Sequence, residues 1–353
     1  RRSEEEKGEE AMKYARLGDT GLVVSRLAFG SMTFGSGQGA MGNVWKTGQK
    51  EADALVGRCL DAGVNLFDSA DMYAGGESET ILGKALGAKR SEIALCTKAG
   101  FRASPSQLRT GLSARNLLAQ AEGSLKRLGT DWLDLFVVHR VDPFTPLDET
   151  LRALEDLVRS GKVRYVGYSN WPAWQAALAV ATQKEKGWTR FRVGQMYASL
   201  VGRDVEHETV PFMRAAGVGM MVWSPLAGGF LSGKYTRKDP TGGAGRLKDF
   251  DFLPTDKEKG WDLIDAMGKI AKKKGVAVAS VALAWLLSKD WATTILVGAS
   301  KMSQLDDNLK AADMVMSQDE AAALDAATAP APMYPNWFNE KTADDATRQA
   351  LGV

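Results

Sequence analysis

The sequence predicts an α/β protein, a (β/α)8 TIM barrel with an N-terminal β-hairpin, a long loop after the seventh barrel strand and an extended C-terminal loop. Three observations lead there. Short apolar runs alternate with segments of helical spacing along most of the 353 residues, which implies parallel strands joined by crossover helices. Eight such runs can be counted, and eight units favour closure over an open sheet. Three runs also deliver a reactive side chain at the same end, namely Asp68, Lys98 and His139. In a closed parallel barrel those ends share one mouth.

Taken in order, Met12 to Ser25 alternates on both sides of Gly18-Asp19-Thr20-Gly21 and reads as a hairpin, a plug for the barrel floor. Leu27-Ala28-Phe29-Gly30 is the first barrel strand. A glycine-rich loop over 31–47 leads into a helix through Ala52, Leu55, Val56, Cys59 and Leu60, ended by Gly63. Strands then fall at 65–68, 93–97, 133–138, 163–168, 193–197, 218–223 and 293–297. Helices fall between them near 79–86, 113–128, 148–160, 172–185, 206–215, 257–274 and 278–288, with one more at 303–311. Residues 225–255 have no periodicity, which is unusual in a compact domain unless the loop is functional. The tail, with Pro330, Pro332 and Pro335 among Tyr334, Trp337 and Phe338, is a poor helix but a good apolar lid.

The totals bound the function. At 44% hydrophobic and 25% charged the composition is that of an ordinary globular protein. A formal charge of +2 gives no ground for bulk attraction to nucleic acid or to a membrane surface. Cys59 and Cys96 lack metal-ligand spacing and read as buried thiols of a reducing compartment, so no metal is expected. No apolar run reaches the ~18 residues of a membrane span, and the start is too polar for a secretory signal. A cytoplasmic location follows as an expectation. Residues 1–11 precede a methionine suited to a native start and are expected to be an added leader. Residues 12–353 are expected to be one domain, with 329–353 over the substrate pocket; homo-oligomerisation is left open.

Tyr73 follows Asp68 by five residues, on what must be a loop. A tyrosine of ordinary pKa near ~10 is a poor acid at neutral pH, and a nearby ammonium brings its proton within reach of transfer. Lys98 is placed to supply that charge, Asp68 to hold Lys98, and His139 to orient a carbonyl oxygen towards Tyr73. No serine, cysteine or second histidine completes a triad at the other strand ends. The electron pair for a carbonyl must then come from a bound donor, most simply a reduced nicotinamide.

Singly, each of these residues is weak evidence, since an Asp at a strand end is usually a cap or turn residue. Jointly they resemble the aldo-keto reductase superfamily, in particular its bacterial long-loop branch, from about residue 13 to residue 328. The resemblance is carried by Asp68, Tyr73, Lys98 and His139, by Gly167-Tyr168-Ser169-Asn170 and Gln195, by Trp223-Ser224-Pro225-Leu226, and by Val297-Gly298-Ala299-Ser300 through Gln304 and Asn308. It implies a nicotinamide carboxamide held by Ser169, Asn170 and Gln195, and a ring stacked on Trp223, where much of the family has tyrosine. It implies a pyrophosphate along Ser224, Leu226, Gly228 and Lys234, and an adenosine ribose among Gly298, Ser300, Gln304 and Asn308. NADPH is the implied cofactor, with Lys301 at the 2′-phosphate, and NADH the alternative.

The expected substrate is a small aldehyde or ketone in an apolar cleft. Phe34, Met41, Trp45, Phe101, Trp171 and Trp337 are expected to line it, with Tyr334 and Phe338. Few charges are expected near the carbonyl, although Arg102 and Arg140 leave an anionic substrate open. Two other classes compete: a cofactor-binding sensor or regulatory subunit on the same fold, and a Schiff-base lyase using Lys98 as nucleophile.

Overall fold

The computed structural model describes residues 12–38, 41–102, 104–240 and 252–352. The expected leader lies outside them, as does the stretch 241–251 of the long loop. Strands β1 (Tyr14–Arg16) and β2 (Val23–Ser25) precede the eight barrel strands β3 (Leu27–Gly30), β4 (Leu66–Asp68), β5 (Ala94–Ala99), β6 (Leu133–Val138), β7 (Val163–Ser169), β8 (Val193–Tyr197), β9 (Gly219–Trp223) and β10 (Ala292–Val297). The crossover helices are α1 (Gln49–Asp61), α2 (Glu77–Leu86), α3 (Ala114–Leu128), α4 (Leu147–Arg159), α5 (Ala173–Lys186), α6 (Thr209–Ala216) and the pair α7 (Lys257–Lys274) and α8 (Val278–Leu287). After the barrel come α9 (Met302–Leu309), α10 (Gln318–Ala327), α11 (Asn336–Lys341) and α12 (Asp345–Leu351).

The eight strands close in the order β10-β3-β4-β5-β6-β7-β8-β9, all neighbours parallel. Closure leaves no unpaired sheet edge. Two apolar layers result from the alternation of side chains along each strand. Leu66, Cys96, Leu135, Val137, Val193 and Met221 fill the barrel interior, while Phe67, Leu95, Phe136 and Val138 pack outward against the helices. Each such side chain, fully buried, contributes roughly 1.5–3 kcal/mol against leaving it in water.

The hairpin pairs Tyr14 with Ser25 and puts Leu17 and Val24 into the interior layer. Its turn meets the starts of β8 and β9, where the Asp19 N–H donates to the Gly217 carbonyl at 2.9 Å. The floor is thereby stoppered. Helix limits follow local chemistry as well: the Ser113 hydroxyl accepts from the Asn116 N–H at the start of α3, and left-handed Gly129 ends it.

The tail departs from expectation. Residues 336–341 are helical, because Pro335 stands just before the first turn, where its missing N–H costs nothing. Helix α10, absent from the expected elements, starts with a capping box in which Ser317 and Glu320 satisfy each other's backbone N–H. That Ser-x-x-Glu signature was present to be read.

Candidate active site

Parallel pairing decides which side chains meet. Asp68 lies opposite Cys96 on β5, so Lys98, two residues further on, reaches back over it. The Lys98 Nζ donates to the Asp68 carboxylate at 2.6 Å and also to the Ser69 carbonyl. Lys98 has no exposed surface. Burial alone would lower its pKa, but the Asp68 charge and hydrogen bond, with Tyr73 nearby, raise it above the ordinary lysine value. The ammonium is therefore permanent at neutral pH. Removing either partner would strand a buried charge, at a cost of about 3–5 kcal/mol.

Tyr73 is half-buried on the short helical turn 73–76 that follows β4. Its ring lies 5.1 Å from the Lys98 Nζ and edge-on to the His139 imidazole, centroids 6.0 Å apart. His139 follows β6 directly, anchored by its N–H to the Ala99 carbonyl at 2.8 Å. Burial, then the charges of Lys98 and Arg140, push its pKa well below the ordinary histidine value. The imidazole is thus neutral, and a neutral ring offers one N–H donor and one acceptor. Its Nδ1 has no hydrogen-bond partner among the described residues. The four residues expected at the mouth are brought together.

A chain of hydrogen bonds links this group to the neighbouring strand ends. The Gln195 side-chain amide donates to Asp68 at 2.9 Å, and the Ser169 hydroxyl to the Gln195 backbone carbonyl at 2.7 Å. Asn170 donates to the Ser169 hydroxyl and to the His139 carbonyl, and accepts from the Trp223 indole at 3.1 Å. Of the three residues set against the carboxamide, Asn170 alone is exposed; Ser169 and Gln195 are buried. The Gln195 contact with Asp68 was not legible in the sequence, for the two are 127 positions apart.

The non-glycine residues with left-handed backbone among those described are Ala74, Asn170, Ser224 and Ala227, all in loops at this same rim. Such conformations cost roughly 1–3 kcal/mol each and cluster where geometry is imposed for a purpose. Ser224, Ala227, Gly228 and Gly229 curl the chain after β9, closed by the Gly228 N–H on the Ser224 hydroxyl at 2.9 Å. Beyond this curl, Lys234 has its nearest described partner in the Tyr235 ring, 5.9 Å away, and no carboxylate among the described residues pairs with it. Nor does one pair with Lys301, exposed at the start of α9. Gln304 reaches back to the Ser300 N–H at 3.1 Å, and Asn308 to the Gly298 carbonyl at 3.3 Å. Trp223 itself lies nearly parallel to the Phe252 ring, centroids 6.3 Å apart, and tilted against Tyr197 at 5.2 Å.

The expected pocket wall needs correction. Phe34 has no exposed surface and leans on Phe29, centroids 5.7 Å apart, in the layer between strands and helices. Trp171 is also buried, edge-on to Phe191 and tilted against Tyr168. Neither faces a cleft. Trp45 and Phe101 are half-buried, and Trp337 packs in a partly exposed cluster with Tyr334 and Phe338. Trp45 backs onto Gly35, whose other neighbour is Ala74, so the first loop does stand beside the Tyr73 turn. The tail is tied at Asn336, which donates to the His207 carbonyl at 3.0 Å.

Behind the site lies a buried polar group the sequence did not reveal. Glu79 of α2, fully buried, accepts from Thr97 at 2.5 Å and pairs with Arg127 at 2.6 Å. Asp71 is buried near it, and burial followed by the Glu79 charge pushes its carboxyl up to about 7. An acid among the apolar positions of a helix, as Glu79 is between Ser78 and Ile81, was the available signal.

With this geometry in place, comparison with known proteins defines the class. A family model for the aldo/keto reductase family matches residues 26–329. A versiconal hemiacetal acetate reductase of Aspergillus parasiticus is 33% identical over 349 residues, covering 92% of this chain and 99% of that protein. An uncharacterized oxidoreductase, YrpG, of Bacillus subtilis is 35% identical, covering 87% and 93%. A probable voltage-gated potassium channel subunit beta of rice, Oryza sativa subsp. japonica, is also 35% identical, covering 86% and 92%. The chain belongs to the aldo/keto reductase family and is an NAD(P)H-dependent oxidoreductase of small carbonyl compounds. No helix among the described residues is long and apolar enough to cross a membrane.

Proposed function

We propose that this protein reduces an aldehyde or ketone to the alcohol with NADPH, with Tyr73 as the proton donor. The observation that carries the reading is the fully buried Lys98 ammonium, held by Asp68 and lying 5.1 Å from the Tyr73 ring. A fixed positive charge in a low-dielectric site stabilises negative charge on the adjacent phenol oxygen and so eases loss of its proton. His139, kept neutral by burial, orients the carbonyl oxygen by hydrogen bonding rather than by protonation. Asp68 holds Lys98, and Gln195 holds Asp68, so the donor group is preorganised before substrate arrives.

The cofactor, when bound, supplies the hydride. On this reading Trp223 stacks on its ring, Asn170 takes the carboxamide with Ser169 and Gln195 behind it, and Ser224, Leu226, Gly228 and Lys234 follow the pyrophosphate. Gly298, Ser300, Gln304 and Asn308 surround the adenosine ribose. Lys301, exposed at the first turn of α9, meets the 2′-phosphate, aided by the free N–H groups of that turn. This favours NADPH over NADH. The tail from residue 329 onwards is read as a cover for the pocket.

Tyr73→Phe tests the proposal. Carbonyl reduction should fall by about 10²–10⁴, the usual worth of a positioned acid, while NADPH still quenches tryptophan fluorescence with nearly unchanged affinity. Retained turnover would remove Tyr73 from the role. A second reading is favoured by the rice relative, named as a channel β subunit: a nicotinamide-binding regulatory subunit on the same fold. In that case wild-type protein would bind NADPH, yet no aldehyde or ketone of a broad panel would consume it.

A further inference from the structure

The rim beside His139 carries a cation that the reaction just described does not use. Arg140 is exposed and lies with its guanidinium 4.7 Å from the centre of the Phe101 ring. Phe101 in turn meets the His139 imidazole edge-on, at 4.8 Å and 90°. The order Tyr73, His139, Phe101, Arg140 thus runs outward from the proton donor along one wall. Among the described residues Arg140 has no hydrogen bond and no ion pair.

That isolation is built into the loop. Asp142, two residues on, is the obvious counter-ion, but one oxygen accepts from the Leu112 N–H at 2.7 Å and the Thr145 hydroxyl at 2.6 Å, and the other from the Phe144 N–H at 3.0 Å. Those bonds hold the turn, so Asp142 feels the Arg140 charge without forming a hydrogen bond or an ion pair with it among the described residues. Arg102, the other cation on this wall, is folded back onto the carbonyls of Ser104, Pro105 and Ser106 and onto Gln107. Among the described residues one guanidinium therefore remains without a hydrogen-bonded counter-ion, seated over the Phe101 ring at 4.7 Å.

We propose that Arg140 is a specificity-determining residue that binds a carboxylate of the substrate, so that the preferred substrates are aldehydes or ketones bearing a carboxylate across a short planar or chain-like spacer. The proposal rests on the reductase reading for where the carbonyl sits, next to His139. A single planar fork of N–H donors matches a carboxylate, whereas a phosphate ester would call for a second free cation, and the described residues of this wall offer none. The spacer lies along Phe101, whose ring fills the interval between His139 and Arg140.

The test uses para-formylbenzoate and its methyl ester, equal in shape and differing in one charge. Wild-type protein should reduce the acid with kcat/KM at least about tenfold above the ester, the size expected of one charge-assisted hydrogen-bonded pair. In Arg140→Gln that ratio should fall by about tenfold or more, through KM for the acid rather than kcat, with Arg140→Lys between the two. Terephthalate binding, followed by titration calorimetry, should weaken in the same order whether or not either aldehyde turns over. Equal kcat/KM for acid and ester in wild type, or equal loss on both in Arg140→Gln, overturns the proposal. Failure of these two and of a broad carbonyl panel to turn over, with terephthalate binding still dependent on Arg140, would overturn the reductase reading and with it the substrate assignment, leaving only a carboxylate site at Arg140.

Discussion

Asp71 and Lys98 are both buried with raised pKa values, yet the fold favours the neutral form of the first and the charged form of the second, because only Lys98 has a counter-ion at hydrogen-bond distance. The Lys98 pKa is raised in the fold, so the stability its charge contributes is complete below the ordinary lysine value and is lost only as alkali approaches the folded one. Nothing changes for it between pH 5 and 9. Asp71 is an acid raised to about 7, so its charged form burdens the fold progressively as pH climbs from about 4 to that value. Asp71→Asn mimics the protonated carboxyl and should therefore stabilise the protein more at pH 8 than at pH 5, by about 2 kcal/mol. Urea unfolding at the two pH values measures it. A gain independent of pH would mean that Asp71 does not titrate in this range.

Helices α2 and α3 pass each other closely enough that one side chain had to be omitted. Gly83, in the middle of α2, faces the last turn of α3, and a Cβ there would fall within contact of the Leu128 backbone carbonyl. Replacing a helical glycine by alanine ordinarily gains about 1 kcal/mol. Here the neighbour is backbone and cannot swing aside, so Gly83→Ala should instead cost about 1–3 kcal/mol, visible as a lower urea midpoint at unchanged slope. Gly57 of α1, with open space around its Cβ position, is the control and should show the ordinary sign. The Gly83 contact matters for function because α2 also carries Glu79, which steadies Thr97 one residue before Lys98.

Across the molecule, the proposed cofactor path crosses the barrel mouth from β9 to β10, and binding there is linked to global unfolding. A ligand held only by the folded state adds about 2.7 kcal/mol at a hundredfold excess over its Kd. Thermal unfolding with NADPH and with NADH therefore reports each affinity without any substrate. Lys301→Ala should weaken NADPH roughly tenfold, removing about 1.4 kcal/mol of its stabilisation, and leave the NADH shift nearly intact. Equal loss with both would take Lys301 away from the 2′-phosphate.

Periodicity along the chain was enough to recover the eight strands, their parallel order and the shared rim of Asp68, Lys98 and His139, since those depend on patterns two to four residues long and on the fact that parallel strands all end on one face. Which way a side chain turns after leaving its strand depends on distant packing instead. Trp171 follows left-handed Asn170 and is carried outward onto Phe191, Phe34 sinks onto Phe29, and Gln195 finds Asp68 from four strands away. Among the described residues Arg140 has no ion-pair partner, because Asp142 is committed to Leu112, thirty positions earlier. No local pattern encodes such partners, because each is chosen by the closing of the barrel, which brings strands and loops far apart in the chain into contact at once.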